Sequence, residues 1–191
     1  MPAIQLIVGL GNPGSDYEPT RHNAGFWFVD ELAQRYHQSF RNEQRFQSEV
    51  VRCLIEGSEC RLQKPMTFMN RSGQAVRSLL QFFRIPLEQV LVVHDELDLQ
   101  PGVVRLKKGG GHGGHNGLRD LISHLGSKDF HRLRVGIGHP GHRDQVVDYV
   151  LKRPSKQDRL EIEAALADAL AVVPDIVQGQ FERAMNTLHS K

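Results

Sequence analysis

Three asparagines, one histidine and one aspartate stand where side chains of their kind could carry a reaction. Asn12 lies in GNPG, Asn70 in FMNRSG and Asn116 in GHNG. Each falls where an element begins or ends, which by itself suits a cap or turn residue. Together they would supply neutral amides able to bind another amide or meet a developing oxyanion. His22, at the mouth of a predicted helix, is the candidate base. The positive end of that helix and the adjacent Arg21 would both disfavour imidazolium, so the expected ring is neutral near pH 7. Asp95, ending a predicted strand, could orient the ring by accepting its N–H. Glu96 and Asp98 are its rivals, and the plainer readings are a capping histidine and a loop-ordering carboxylate. No GxSxG elbow is present, and neither Cys53 nor Cys60 neighbours a histidine, so in a hydrolase water would attack.

Two other chemistries have to be weighed. Gly9-Leu10-Gly11-Asn12-Pro13-Gly14 satisfies GxGxxG after a strand. A dinucleotide cradle needs that turn to open directly into a helix. Pro13, Gly14 and Pro19 delay the helix, and Asp30 and Glu31 fall inside it instead of ending a second strand, so the context fails. The histidines His94, His112, His115, His139 and His142 have spacings (HDE, HGGH, HPGH) that match no zinc pattern, and no required metal or cofactor is expected.

The elements that must position these groups follow from pattern. Ile4–Gly9 reads as a central strand buried on both faces. Phe26, Val29, Ala33 and Tyr36 recur at helical spacing. Segments 46–56 and 59–65 read as a hairpin about a Gly57-Ser58 turn, pairing Ile55 with Cys60 and setting Cys53 and Cys60 diagonally on one face. A helix is predicted from Asn70 to about Phe83, a strand over Val90–Val93 running into His94-Asp95-Glu96, and another over Gly102–Lys107. GGGHGGHNG cannot be helical but opens into a helix at about Leu118–Leu125, and Arg132–Gly138 alternates as a strand. Ser155 with Asp158 resembles a capping box, starting a helix to about Val172, with a last helix over Asp175–Leu188. Alternating strands and helices with one antiparallel hairpin indicate a single-domain α/β fold over 1–191: a twisted mixed β-sheet with helices on both faces.

Composition excludes some classes. At 191 residues, 39% hydrophobic and 24% charged, the chain suits one soluble domain with a core of its own. No apolar run is long enough for a membrane helix, no signal or transit peptide is expected, and two cysteines suit a reduced, cytoplasmic protein. The net charge of +2 is uneven: residues 99–143 carry eight Lys/Arg against Asp120 and Asp129, so the remainder sums to minus four. Strand alternation sets Arg105 and Lys107 on one face before the glycine-rich loop, which suits a phosphate. A solvated, lysine-protected edge strand is the plain alternative.

The motifs GLGNPG, TRHNAG, KPMTFMNRSG, HDELDLQPG, GGGHGGHNGL and HRLRVGIGHP, taken in order, closely resemble the bacterial peptidyl-tRNA hydrolase family. The resemblance runs from Ile4 to about Val150, with a looser fit beyond. It implies a monomeric α/β enzyme that cleaves the ester between a peptide, or N-blocked amino acid, and the terminal ribose of tRNA. It further implies that His22 is the catalytic base, that Asp95 holds it, and that Asn12 and Asn70 position substrate and water. Met69 would line a peptide groove, His115 and Asn116 would form the opposite wall, and Tyr17 would lie beside the site. Arg105, Lys107 and Arg134 would contact tRNA, the first two at its 5′-phosphate; many relatives have lysine in place of Arg105. A non-catalytic RNA-binding relative would keep the basic face without His22, Asp95 and the three asparagines.

Overall fold

Leu6–Gly9 forms the first strand, β1, and every residue of it is buried. That burial requires neighbours on both edges and cover on both faces, which the rest of the chain supplies in this computed structural model, describing residues 3–190. In chain order the further elements are α1 (Ala24–Arg35), β2 (Arg41–Glu43), β3 (Ser48–Ile55), β4 (Ser58–Pro65), α2 (Ser72–Phe83) and β5 (Val90–Glu96). Then come β6 (Val104–Lys108), α3 (Asn116–Leu125), β7 (His131–Gly136), α4 (Val146–Val150), α5 (Lys156–Ala171), α6 (Val173–Val177) and α7 (Phe181–His189). The strands make one sheet in the order β2-β3-β4-β1-β5-β7-β6. β1 runs parallel to β4 and β5, and β5 parallel to β7, while β2–β3, β3–β4 and β6–β7 are antiparallel. The mixed sheet with helices on both faces is therefore as the sequence indicated.

Alternation along the strands divides the core in two. Ile7, Leu91, Val93, Leu133 and Val135 face α1, α5, α6 and α7; Leu6, Val8 and Val92 face α2 and α3. Each fully buried aliphatic or aromatic side chain contributes roughly 1.5–3 kcal/mol. Because β1, β4 and β5 are parallel neighbours, the chain leaves all three at the same edge of the sheet. Asn12, Met69-Asn70 and Asp95 thus start from one place, the carboxyl edge where open α/β sheets hold their sites.

The glycines after β1 serve packing. A Cβ on Gly9 would lie 2.3 Å from the Gly25 carbonyl oxygen, and one on Gly25 would lie 2.4 Å from that of Val93 and 2.5 Å from the Leu10 nitrogen. Glycine at these positions lets the first turn of α1 sit directly on the ends of β1 and β5. The loop before it is tied down by the Trp27 indole, which donates to the Glu18 carbonyl at 2.7 Å.

Several expectations are corrected. The hairpin turn is Glu56-Gly57, both with positive φ (49° and 77°), so Ile55 pairs with Ser58 and Cys53 lies directly opposite Cys60. A type I′ turn takes glycine second, where a II′ turn would take it first, and the one-residue shift follows. Both thiols are free, and burial pushes Cys53 up to about 11 and raises Cys60 further. The last helix is two, α6 and α7, parted at Gly179 (φ 81°). Strand β2 and helix α4 lay in stretches given no element. Ser155 does cap α5, its hydroxyl accepting the Asp158 N–H at 3.1 Å.

Gly25→Ala should destabilise the fold by about 1–3 kcal/mol or more, because its Cβ meets backbone that cannot yield. Gly111→Ala, with nothing within 4 Å of its added carbon, should change stability by less than about 1 kcal/mol. Denaturant unfolding of both variants checks the contrast; equal effects would mean that the contact with α1 is not tight.

Candidate active site

A buried carboxylate organises the carboxyl edge of the sheet. Asp95, 4% exposed near the end of β5, places Oδ2 2.8 Å from Nδ1 of His22 and Oδ1 2.8 Å from Nε2 of His115. His22 arrives on a 3₁₀ turn, Arg21–Asn23, that leads into α1. His115 arrives on the glycine-rich loop, where Gly109, Gly110, Gly113 and Gly114 all take positive φ, a region a side chain disfavours. Arg132 staples that loop: its guanidinium donates to the carbonyls of Gly110, Gly111 and Lys128.

These contacts fix the tautomers. A carboxylate can only accept, so His22 carries its proton on Nδ1 and His115 on Nε2. The other nitrogen of His115 is also occupied, accepting the Leu118 N–H at 3.2 Å as the N-cap of α3. His115 therefore has no nitrogen left to offer. On His22, Nε2 has no partner among the described residues, and the ring lines a cavity of about 230 Å³. Buried His94 donates Nδ1–H to the Asp95 carbonyl at 2.8 Å, while its Nε2 is unpartnered among the described residues. Burial, then the proximity of His115, hold His94 below its ordinary pKa.

The shift at His22 runs opposite to the one expected from Arg21 and the helix end. Burial alone would lower its pKa, but the Asp95 charge and hydrogen bond outweigh burial and raise it. Arg21 does not oppose this, because its guanidinium turns away to the carbonyls of Tyr149 and Lys152 and lies 3.8 Å from the Tyr149 ring centroid. For Asp95, burial favours the neutral acid, but His22 and His115 prevail and keep it ionised well below the usual carboxylate range.

Amides surround His22. Asn12 has its Oδ1 filled by the Met69 N–H (2.7 Å), and its backbone N–H and C=O both pair with the side chain of Asn23 at 2.9 Å. This double clasp leaves the Asn12 NH₂ as its unspent group in the cavity wall. Asn70 and Asn116 line the cavity too, and neither side chain has a hydrogen bond to the described residues. Met69 and His115 complete these walls. An apolar mouth is set by Phe68, Val147 and Leu151, all exposed.

Of the candidate residues, His22, Asp95, Asn12, Met69, Asn70, His115 and Asn116 all line this one cavity. Tyr17 does not; it packs edge-on against Phe68, with centroids 6.2 Å apart. Arg105, Lys107 and Arg134 lie on β6 and β7, outside the cavity. Arg134 is linked to its rim through Glu96, whose carboxylate is 2.9 Å from the Arg134 Nε. Sequence reasoning gave no role to Asn23, His94 or the α4 wall. Apolar spacing at Val146, Val147, Val150 and Leu151 was the available signal for α4; the clasp of Asn23 on Asn12 left none. His22, Asp95 and His115 also bring three ligand-type atoms within 4.8 Å of one another. Their 2.8 Å N···O separations are those of shared protons.

A family model described as "Peptidyl-tRNA hydrolase" matches residues 6–191. Among curated proteins, a peptidyl-tRNA hydrolase of Halorhodospira halophila is 58% identical over 98% of this chain and 96% of its own length. One of Neisseria gonorrhoeae is 55% identical over 98% of both. The crystal structure of the peptidyl-tRNA hydrolase of Acinetobacter baumannii superposes with a TM-score of 0.95 at 52% identity, covering 97% of this chain and 94% of that one.

In an NMR titration the imidazole of His22 should protonate with a midpoint above the ordinary value of about 6.5. Asp95→Asn should move that midpoint down, because burial would then act unopposed. A midpoint unmoved by the substitution would mean that the carboxylate does not set the charge of the ring.

Proposed function

The chain belongs to the peptidyl-tRNA hydrolase family, and we propose that it cleaves the ester joining a peptide, or an N-acylated amino acid, to the terminal ribose of tRNA, freeing the tRNA for reuse in translation. The observation that carries this reading is the His22–Asp95 pair, with Nε2 of His22 free at a cavity ringed by asparagine amides. Water in the cavity gives its proton to that nitrogen while its oxygen bonds to the ester carbonyl carbon. The carbonyl oxygen becomes an oxyanion, met by amide N–H groups, among which Asn116 is our choice. When the intermediate collapses the C–O bond to the ribose breaks, and the proton held by His22 passes to the departing ribose oxygen. Asp95 stabilises the imidazolium between these steps, which its fixed charge favours over neutral surroundings.

Substrate selection follows from the same groups. Asn12 and Asn70 position the substrate and the water, Met69 lines the peptide groove, His115 and Asn116 form the facing wall, and Tyr17 supports Phe68 at the mouth. Both carboxylates in the wall are engaged, Asp95 by two histidines and Glu96 by Arg134. A free α-ammonium would therefore meet amides and no unpaired carboxylate, an unmatched charge. N-acylated substrates avoid that cost.

The tRNA itself would be held at the far edge of the sheet. Arg105 pairs across the strands with Arg134, and Lys107 with Arg132, so four cations share one face. Glu96 neutralises Arg134, and carbonyls occupy Arg132. Arg105 and Lys107 have no acidic partner among the described residues and are left for the 5′-phosphate. We place the enzyme in the cytoplasm with its tRNA substrate, acting as a monomer; no helix among the described residues is long and apolar enough to cross a membrane.

Replacing His22 by alanine should lower kcat on N-acetyl-aminoacyl-tRNA by about 10²–10⁴, with EDTA leaving the wild-type rate unchanged; full activity in the variant would overturn the mechanism. Arg105→Ala with Lys107→Ala should weaken action on whole tRNA and spare small N-acyl-aminoacyl nucleosides. Equal losses on both substrates would show that the pair supports the fold instead.

A further inference from the structure

The cationic edge sets like charges against each other, and the last helix packs along it. Like charges set directly opposite each other in a sheet repel, and β6 places Arg105 against Arg134 and Lys107 against Arg132. β6 is also an edge strand, so among the described residues no further strand takes up the N–H groups on its outer side. Helix α7 lies along it. The Leu106 N–H, in the residue between the two cations, donates to Nε2 of His189 at 3.1 Å. The Leu106 side chain is buried in the same core as Phe181, Ala184 and Leu188 of α7. At the start of that helix Phe181 stacks on His131 of β7, with centroids 3.9 Å apart and planes at 15°. The helix is thus held to β7 at its start and to β6 at its end.

We propose that His189 is a positioning residue for the Arg105–Lys107 pair, fixing the backbone between the two cations so that both heads reach one phosphate. This rests on the reading of that pair as the clamp for the 5′-phosphate. Accepting an N–H requires a neutral ring, and burial, then the charge of Arg105, both lower the pKa of His189. Nothing in the catalytic cavity depends on the contact, so its effect is confined to whole tRNA.

Kinetics on three substrates test the proposal: N-acetyl-aminoacyl-tRNA with a 5′-phosphate, the same tRNA with a 5′-hydroxyl, and an N-acetyl-aminoacyl-adenosine. His189→Ala should raise KM for the phosphorylated tRNA by roughly 3- to 10-fold, the worth of one hydrogen bond. It should leave kcat and both other substrates unchanged. His189→Gln, which retains an acceptor, should recover part of the loss, and exchange of the Leu106 amide should quicken in the alanine variant. An unchanged KM alongside faster Leu106 exchange would overturn the proposal, as would equal losses on all three substrates, which would mark α7 as general support. If Arg105→Ala with Lys107→Ala fails to separate the 5′-phosphate from the 5′-hydroxyl, it is the clamp that is wrong, and the role of His189 falls with it.

Discussion

The carboxylate of Asp95, taken out of water and shared by two imidazole N–H groups, is the constraint on which the site depends. An isolated buried carboxylate would take up a proton. Two charge-assisted hydrogen bonds, each worth about 1.5–3 kcal/mol, keep it ionised. That charge in turn sets the tautomer of both rings, raises the basicity of His22 and draws the glycine-rich loop onto the sheet. His115 spends both nitrogens as the tether, and His22 keeps one free. Two histidines beside one carboxylate so acquire different tasks from what their second nitrogen meets.

Geometry of this quality needs a scaffold that does not give way. Parallel β1, β4 and β5 deliver Asn12, Met69-Asn70 and Asp95 to one edge, and the glycine contacts at Gly9 and Gly25 let α1 bring His22 within hydrogen-bond reach. The clasp from Asn23 takes the backbone N–H and C=O of Asn12, and the Met69 N–H takes its Oδ1, so the amide is oriented with its NH₂ left over. The glycines of GLGNPG make close helix packing possible here, whereas in a dinucleotide fold they would admit a pyrophosphate.

Much of this was legible in the sequence because local pattern and chemistry coincide. Buried runs gave the strands, Pro13 and Pro19 delayed the helix and removed the cofactor reading, and the ends of β1, β4 and β5 held the polar residues that meet. What escaped depended on relations that pattern does not carry. The hairpin register turned on whether Gly57 came first or second in its turn. The shift at His22 depended on the buried Asp95, distant in sequence, whose charge and hydrogen bond outweigh burial. The basic stretch read as a surface for polyanions, yet Arg132 and Arg134 are largely consumed inside the fold. On that face their cross-strand neighbours, Arg105 and Lys107, have no acidic partner among the described residues, and the face itself depends on the pairing of β6 with β7.

Direct evidence for the central claim would come from the ¹⁵N resonances of the His22 ring, recorded above its protonation midpoint. A protonated Nδ1 with an unprotonated Nε2 is expected, the form in which Asp95 holds one nitrogen and leaves the other to take a proton from water. The reverse tautomer, with the proton on Nε2, would leave the cavity without a base and contradict the account.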